Sequence, residues 1–342
     1  MQYSGVHIKG VLAAGCVLGA VVGCERSASA PPKAEEREGT IALIGASIDD
    51  PLWRVFYATA YRELEGYHSI ELKIAAPRIP SVEAQINIIR TMRKSDLLGM
   101  CIQPVDPVAL RAELEDLRTK GVMVVTLMNR VPSDNAFLFC GLDDLAIGEA
   151  MADAVAEWIG QSGTAAVMLS KRGDAHHNMR LVGLRKKLEI APSVSILAEM
   201  DCDGNVFTAR AMMREYMERF PRLRAWVTLG DWPLRRRKPG ERFLPDTCRL
   251  VTFGPTPANW RFLEDGTCYA LVGAAYDRVA AHAIQTCVTA IFGDAPHIRS
   301  YLAPPLVVKA DNLHAFRARW FRWRELPLET QSTVLSTETR KP

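Results

Sequence analysis

Two polar clusters in this chain stand where a small molecule could be held. Asn129-Arg130 directly follows the apolar run 122–128, and Pro104-Val105-Asp106 follows the run 98–103. A guanidinium presents N–H donors in a planar fork and an amide both donates and accepts, so such pairs suit polar, oxygen-rich or anionic ligands. His176-His177 is the natural place to look for a metal, but two adjacent histidines lack a third ligand at a recognisable spacing, so no metal is expected. The chain has no Walker loop, Gly-x-Ser-x-Gly elbow, His-Glu-x-x-His or Gly-x-Gly-x-x-Gly, and no two residues resemble an activated Cys-His pair. The expectation is binding without catalysis and without a cofactor.

The elements that must position these clusters can be read around them. Between the two apolar runs lies a helix-length segment with Leu110, Leu114 and Leu117 on one face and Gly121 where a C-cap is wanted. That is a βαβ unit. Its strands are continuously apolar, which requires burial on both faces and hence a parallel sheet between helix layers. Ligands of such sheets bind outside the strand C-termini, where both clusters stand. The same alternation runs upstream and downstream. A strand over 41–46 leads to Asp50, an N-cap candidate, and Pro51 at the first helical position, with Leu52, Phe56, Ala60 and Leu64 on one face. Further strands are expected at 70–75, 165–170, 194–200 and 224–229, with helices from 82, over 176–189 and over 206–219.

From about residue 40 to about 312 the chain resembles the type I periplasmic binding proteins, the group that contains the ribose-binding protein. The motifs are Pro104-Val105-Asp106-Pro107-Val108-Ala109-Leu110, Asn129-Arg130, and Gly141-Leu142-Asp143-Asp144 followed by Gly148. The resemblance implies an α/β fold of two Rossmann-like lobes, each a parallel sheet flanked by helices, joined by a three-segment hinge near Asp143, Ala274 and Pro304. It also implies a ligand site between the lobes. Asp50-Pro51-Leu52-Trp53 matches a family sequence of Asn-Pro and two aromatics that contacts sugar, so Asp50, Leu52 and Trp53 are candidates; plain core packing is the other reading of Trp53. Arg180, with Gly183, matches an Arg-x-x-Gly-Phe whose Arg reaches the ligand. Arg130 and Arg180 would then face each other as charge-assisted donors, with Trp53 offering an apolar face to a sugar ring.

The second lobe departs from the family pattern. Polar side chains that relatives supply are here Gly230, Gly254 and Ala274, with Asp231 remaining, and no aromatic stands near Gly204-Asn205. Three lost hydrogen bonds at about 1 kcal/mol each imply roughly hundredfold weaker ribose binding. The vacated volume would admit a larger or acidic ligand. The basic tract 235–238 either is a solvated loop or meets an anionic surface.

Length and composition fit this reading. The chain has 342 residues, 48% hydrophobic and 24% charged, enough for two lobes, and a net charge of +3 gives no argument for nucleic acid. Residues 1–24 hold Lys9, an apolar run over 10–23 and Cys24, too short to span a bilayer and followed by polar sequence. Val21-Val22-Gly23-Cys24 resembles a lipoprotein lipobox, with Cys24 the lipid anchor; Cys16 is the rival position and an uncleaved anchor the other outcome. Residues 25–39 form a tether, 40–143 plus 275–300 one lobe, 144–274 plus 301–325 the other, and 326–342 a disordered tail. Phe316, Trp320 and Trp323 mark a terminal helix that docks on the second lobe or lies on a membrane surface. Cys101 and Cys140 are expected to be buried thiols, whereas Cys248 and Cys268 precede neighbouring strands and are a candidate disulfide. The function expected is a lipid-anchored, envelope-located solute-binding protein that closes on a small polar ligand, a sugar or derivative, for an ABC permease or a sensor. A scaffold that binds a protein partner and no solute is the alternative.

Overall fold

The computed structural model describes residues 38–321 apart from 95, 133–136, 191–192, 237–240, 242 and 294–298. The predicted leader with Cys24, most of the tether, Trp323 and the tail lie outside the described residues.

The first lobe runs β1 (Gly39–Ile44), α1 (Pro51–Glu63), β2 (Ile70–Ala75), α2 (Val82–Met92), β3 (Leu97–Ile102), α3 (Arg111–Thr119), β4 (Met123–Leu127) and β5 (Leu138–Leu142). The second lobe follows as α4 (Asp144–Ile159), β6 (Gly163–Leu169), α5 (Ala175–Glu189), β7 (Val194–Asp201), α6 (Val206–Arg219), β8 (Leu223–Thr228), β9 (Arg249–Phe253), α7 (Arg261–Glu264) and β10 (Cys268–Ala274). The chain then returns through α8 (Tyr276–Ile291) and β11 (Ser300–Ala303) to the first lobe, and through β12 (Pro305–Val308) and α9 (Leu313–Phe321) to the second. The sheet orders are β11-β5-β4-β3-β1-β2 and β12-β10-β9-β8-β6-β7. Every pairing is parallel except β10 with β12. This is the doubly wound α/β class with two Rossmann-like sheets that continuous apolar strands demand.

Two boundaries differ from the sequence reading. β1 begins at Gly39, which had been placed in the tether, because Gly39 already bonds Ser69 and aligns with Ile70. Residues 301–303, placed with the second lobe, pair with Cys140, Gly141 and Leu142 in the first sheet. The chain changes sheets at Pro304, and four residues of edge strand are too short to declare their sheet by pattern.

Helix α4 packs on α5 with backbone touching backbone. A Cβ on Gly148 would lie 1.9 Å from the Arg180 carbonyl oxygen, and one on Gly183 would lie 2.0 Å from that of Leu145. The glycines of two sequence motifs are thus the two halves of one helix crossing. At the far end, Phe316 and Trp320 pack edge-on against Trp260 at 5.9 and 5.8 Å, and Arg317 pairs with Glu264. The aromatic face of α9 is therefore buried on the second lobe, and its described part is not available to a membrane.

Candidate functional site

Each side of the interlobe boundary is built from strand ends and the helix starts that follow them. After β1, Asp50 caps α1 by accepting the Leu52 N–H at 2.9 Å, and burial raises its carboxyl above the usual range. Leu52 is half-buried against the core. Trp53 is 3% exposed and lies flat on Gly45, with Phe56 stacked at 6.3 Å. Its indole Nε1 is buried and has no hydrogen-bond partner among the described residues.

Gln85, which sequence reasoning passed over, holds this rim together. It is fully buried, donates to the carbonyls of Gly45 and Gln103 at 2.8 Å each, and accepts the Val105 N–H at 2.9 Å. The spacing Gln85, Ile88, Ile89, Met92 puts it on the buried stripe of α2, a signal that was present in the sequence.

At the end of β4, Met128 takes a left-handed conformation with φ 61°, turning Asn129 and Arg130 different ways. Asn129 Nδ2 donates to the Pro104 carbonyl at 2.8 Å, while its Oδ1 lies 3.0 Å from Nε2 of His176 in the second lobe. Arg130 turns to the sheet edge, donates to Ser300 Oγ at 2.9 Å, and rests 4.2 Å over the ring of Phe139.

Arg180 is 4% exposed. Its Nε donates to Asp144 Oδ1 at 2.7 Å, Nη1 to the Leu229 carbonyl at 2.8 Å, and the guanidinium stacks 3.6 Å over Phe253. The two arginines were expected to face each other; instead Arg130 lines a cavity of about 660 Å³ with Met128, Phe139, Leu142, His176 and Met179, and Arg180 is not on its wall. The cause is local. The turn at Met128 sends Arg130 outward, and buried Asp144 draws Arg180 inward, where an unpaired carboxylate would be costly.

Asp231 is held by Arg235 at 2.8 Å and by Asn259 Nδ2 at 3.2 Å. Arg235, first residue of the basic tract, is therefore an ion-pair partner, and 237–238 lie outside the described residues. The vacated volume expected at Gly230 is not vacant: a Cβ there would come 2.6 Å from Trp232. Trp232 also lies over Gly204, so an aromatic does stand at that place, supplied from the loop after β8. Edge-on to it at 5.2 Å is His177, which bonds Ser170 and whose burial brings its pKa down to about 4, leaving it neutral at ordinary pH.

Tyr276, the first residue of α8, is 2% exposed, and its hydroxyl, near the Ala274 backbone, donates to nothing among the described residues. Burial pushes its pKa up, with Arg180, Asp50 and Asp144 within electrostatic reach. Two buried donors, Trp53 Nε1 and Tyr276 Oη, thus have unmet hydrogen-bonding capacity close to the lobe boundary. Among the described residues no group of three or more His, Cys, Asp or Glu could hold a metal. Cys248 and Cys268 are buried thiols that are not joined in a disulfide.

Two parallel-sheet lobes joined by three crossovers, with polar groups converging between them, define a binding-protein class. The chain belongs to the periplasmic binding protein domain family, which it matches over residues 41–295. It is 21% identical over 222 residues to the D-allose-binding periplasmic protein of Escherichia coli strain K12, covering 62% of this chain and 70% of that protein. Among solved structures it is similar to a periplasmic solute-binding protein of an ABC transporter from Actinobacillus succinogenes with bound D-allose. That match has a TM-score of 0.67 and 16% identity, over 81% of this chain and 100% of the other. An arabinose-binding protein from Geobacillus stearothermophilus gives a TM-score of 0.72 and 15% identity, over 82% and 99%.

Proposed function

We propose that this chain is a lipid-anchored solute-binding protein of the cell envelope that closes on a small polar ligand of the sugar class and presents it to an ABC permease or a sensor. The observation that carries the reading is a pair of buried donors, Trp53 Nε1 and Tyr276 Oη, that donate to nothing among the described residues, the latter within electrostatic reach of Arg180, Asp50 and Asp144. A protein seldom leaves such groups unsatisfied unless something else completes them. The named sugars of its relatives, allose and arabinose, support the ligand class. The lipobox-like Val21-Val22-Gly23-Cys24 supports the anchor.

Mass spectrometry of material retained through gentle purification, followed by calorimetry against D-allose, arabinose, ribose and sugar acids, tests the ligand class. Micromolar or tighter binding of one of the sugars is expected, with ribose weaker; no retained solute and no heat with any of them would overturn the reading. Cys24→Ser is expected to release the protein from membranes, and unchanged membrane association would remove the anchor.

Tyr276→Phe gives a sharper signature. Removing a buried hydroxyl that donates to nothing among the described residues should leave the ligand-free protein as stable or slightly more so, while costing the ligand on the order of 1 kcal/mol. A loss of ligand-free stability with unchanged affinity would show the hydroxyl to be structural.

A second reading, a scaffold that binds a protein partner and no solute, is favoured by one observation. Asn129 and Asp231, both expected to serve a ligand, are engaged by His176, Pro104, Arg235 and Asn259.

A further inference from the structure

His176 and Asn129 meet across the boundary between the lobes. His176 stands in the first turn of α5, and Asn129 follows β4. The orientation of the Asn129 amide is set by Pro104, whose carbonyl only accepts and so takes the Nδ2–H at 2.8 Å, leaving Oδ1 toward His176 Nε2 at 3.0 Å. The other ring nitrogen, Nδ1, faces Asp144 Oδ2 at 2.6 Å, and the second oxygen of that carboxylate holds Arg180. Both ring nitrogens therefore face acceptors. An imidazole with one N–H can serve only one of them and sets lone pair against lone pair at the other. Turning the amide over gives no relief, because Oδ1 would then oppose the Pro104 carbonyl.

We infer that His176 is a proton-dependent clasp, which as an imidazolium ties Asn129 of the first lobe to Asp144 of the second and holds the lobes together without a solute. Its side chain is 38% exposed, so the proton exchanges with solvent. The charged groups around it leave Asp144 as the counter-ion. Asp143 caps α4 at Ala146, Asp106 in the turn before α3 is engaged by the N–H groups of Val108 and Ala109, and Asp174 caps α5 at His177. Arg130 lines the same cavity but is drawn to Ser300 and Phe139. Arg180 opposes the imidazolium, and Asp144 offsets it by holding both cations on separate oxygens. His177 points instead to Ser170 and Trp232. The cross-lobe bond is present while the imidazole carries both protons and is lost when rising pH removes one of them, because a single N–H cannot serve both acceptors. Opening the clasp also frees the Asn129 carbonyl for a ligand, so protonation and solute compete for it.

The test uses the full chain without any solute, so it stands or fails separately from the sugar reading. Nitrogen-15 spectroscopy of the His176 ring at pH 5.5 should show both nitrogens protonated, and small-angle scattering should show expansion toward pH 8. The closed-to-open ratio is expected to change by about tenfold, as for a hydrogen bond to a charged group. His176→Gln cannot donate to both acceptors and should make the scattering independent of pH. A singly protonated ring at pH 5.5, or identical pH responses of wild type and His176→Gln, would overturn the clasp.

Discussion

Arg180→Met is expected to destabilise the second lobe by about 3–5 kcal/mol, because it leaves the Asp144 carboxylate buried with His176 as its remaining partner among the described residues. The loss would also orphan the Leu229 carbonyl and remove the stack on Phe253. For a chain of this size that corresponds to a fall of about 6–10 °C in Tm. Equilibrium denaturation in urea measures it. The double variant Asp144→Asn with Arg180→Met should recover part of the loss, since neither partner then leaves a charge behind. If the double variant is no better than the single one, the cost lies in the guanidinium's packing and not in the uncompensated charge. Either way Arg180 is first a structural residue, and a fall in ligand affinity on its replacement has to be measured on folded protein.

Gly148→Ala should be at least as damaging as an ordinary overpacked core, about 3 kcal/mol or more, although alanine is intrinsically the better helix former by about 1 kcal/mol. The reason is the identity of the obstacle: the new methyl would meet the Arg180 carbonyl oxygen and Cα, backbone atoms that cannot swing aside. Gly183→Ala pushes the same two helices apart from the other side and should cost a similar amount. Because both substitutions act on one crossing, the double variant should lose less than the sum of the two. Because the crossing also sets the height of Arg180 over Asp144, both variants should make the cross-lobe network less ordered. Thermal unfolding of the three variants decides this, and a gain in stability from either alanine would show that α4 and α5 do not touch there in solution.

Several elements of this molecule could be read before any coordinate was known. The strands that carry continuous apolar runs, β1, β3, β4 and β6, could only be central strands of a parallel sheet, and they are. Asp50 with Pro51 announced the start of α1, and the structure places the Asp50 carboxylate on the Leu52 N–H. Less regular segments were harder. β11 has four residues, and which sheet it joins depends on its distant partner β5. Gln85 was legible as a polar residue on an apolar stripe, but its three backbone partners come from the ends of two other strands.

At the site the division is sharper. The sequence determined which residues stand at strand ends and helix starts, such as Asp50 and Asn129, because periodicity and capping are local, while Trp53, Arg180 and Asp231 were singled out by the resemblance to the family. Only the tertiary structure decided what each one faces. A left-handed turn at Met128 sends Arg130 to Ser300, a buried carboxylate on α4 captures Arg180, and Trp232 fills the space beside Gly230 and Gly204. Hydrogen bonds and close packing depend on angstrom distances between residues that are 30 to 170 positions apart, as with Arg180 and Asp144 or Arg130 and Ser300. Local pattern carries no record of such distances, which are fixed only when the two sheets and their crossovers pack together.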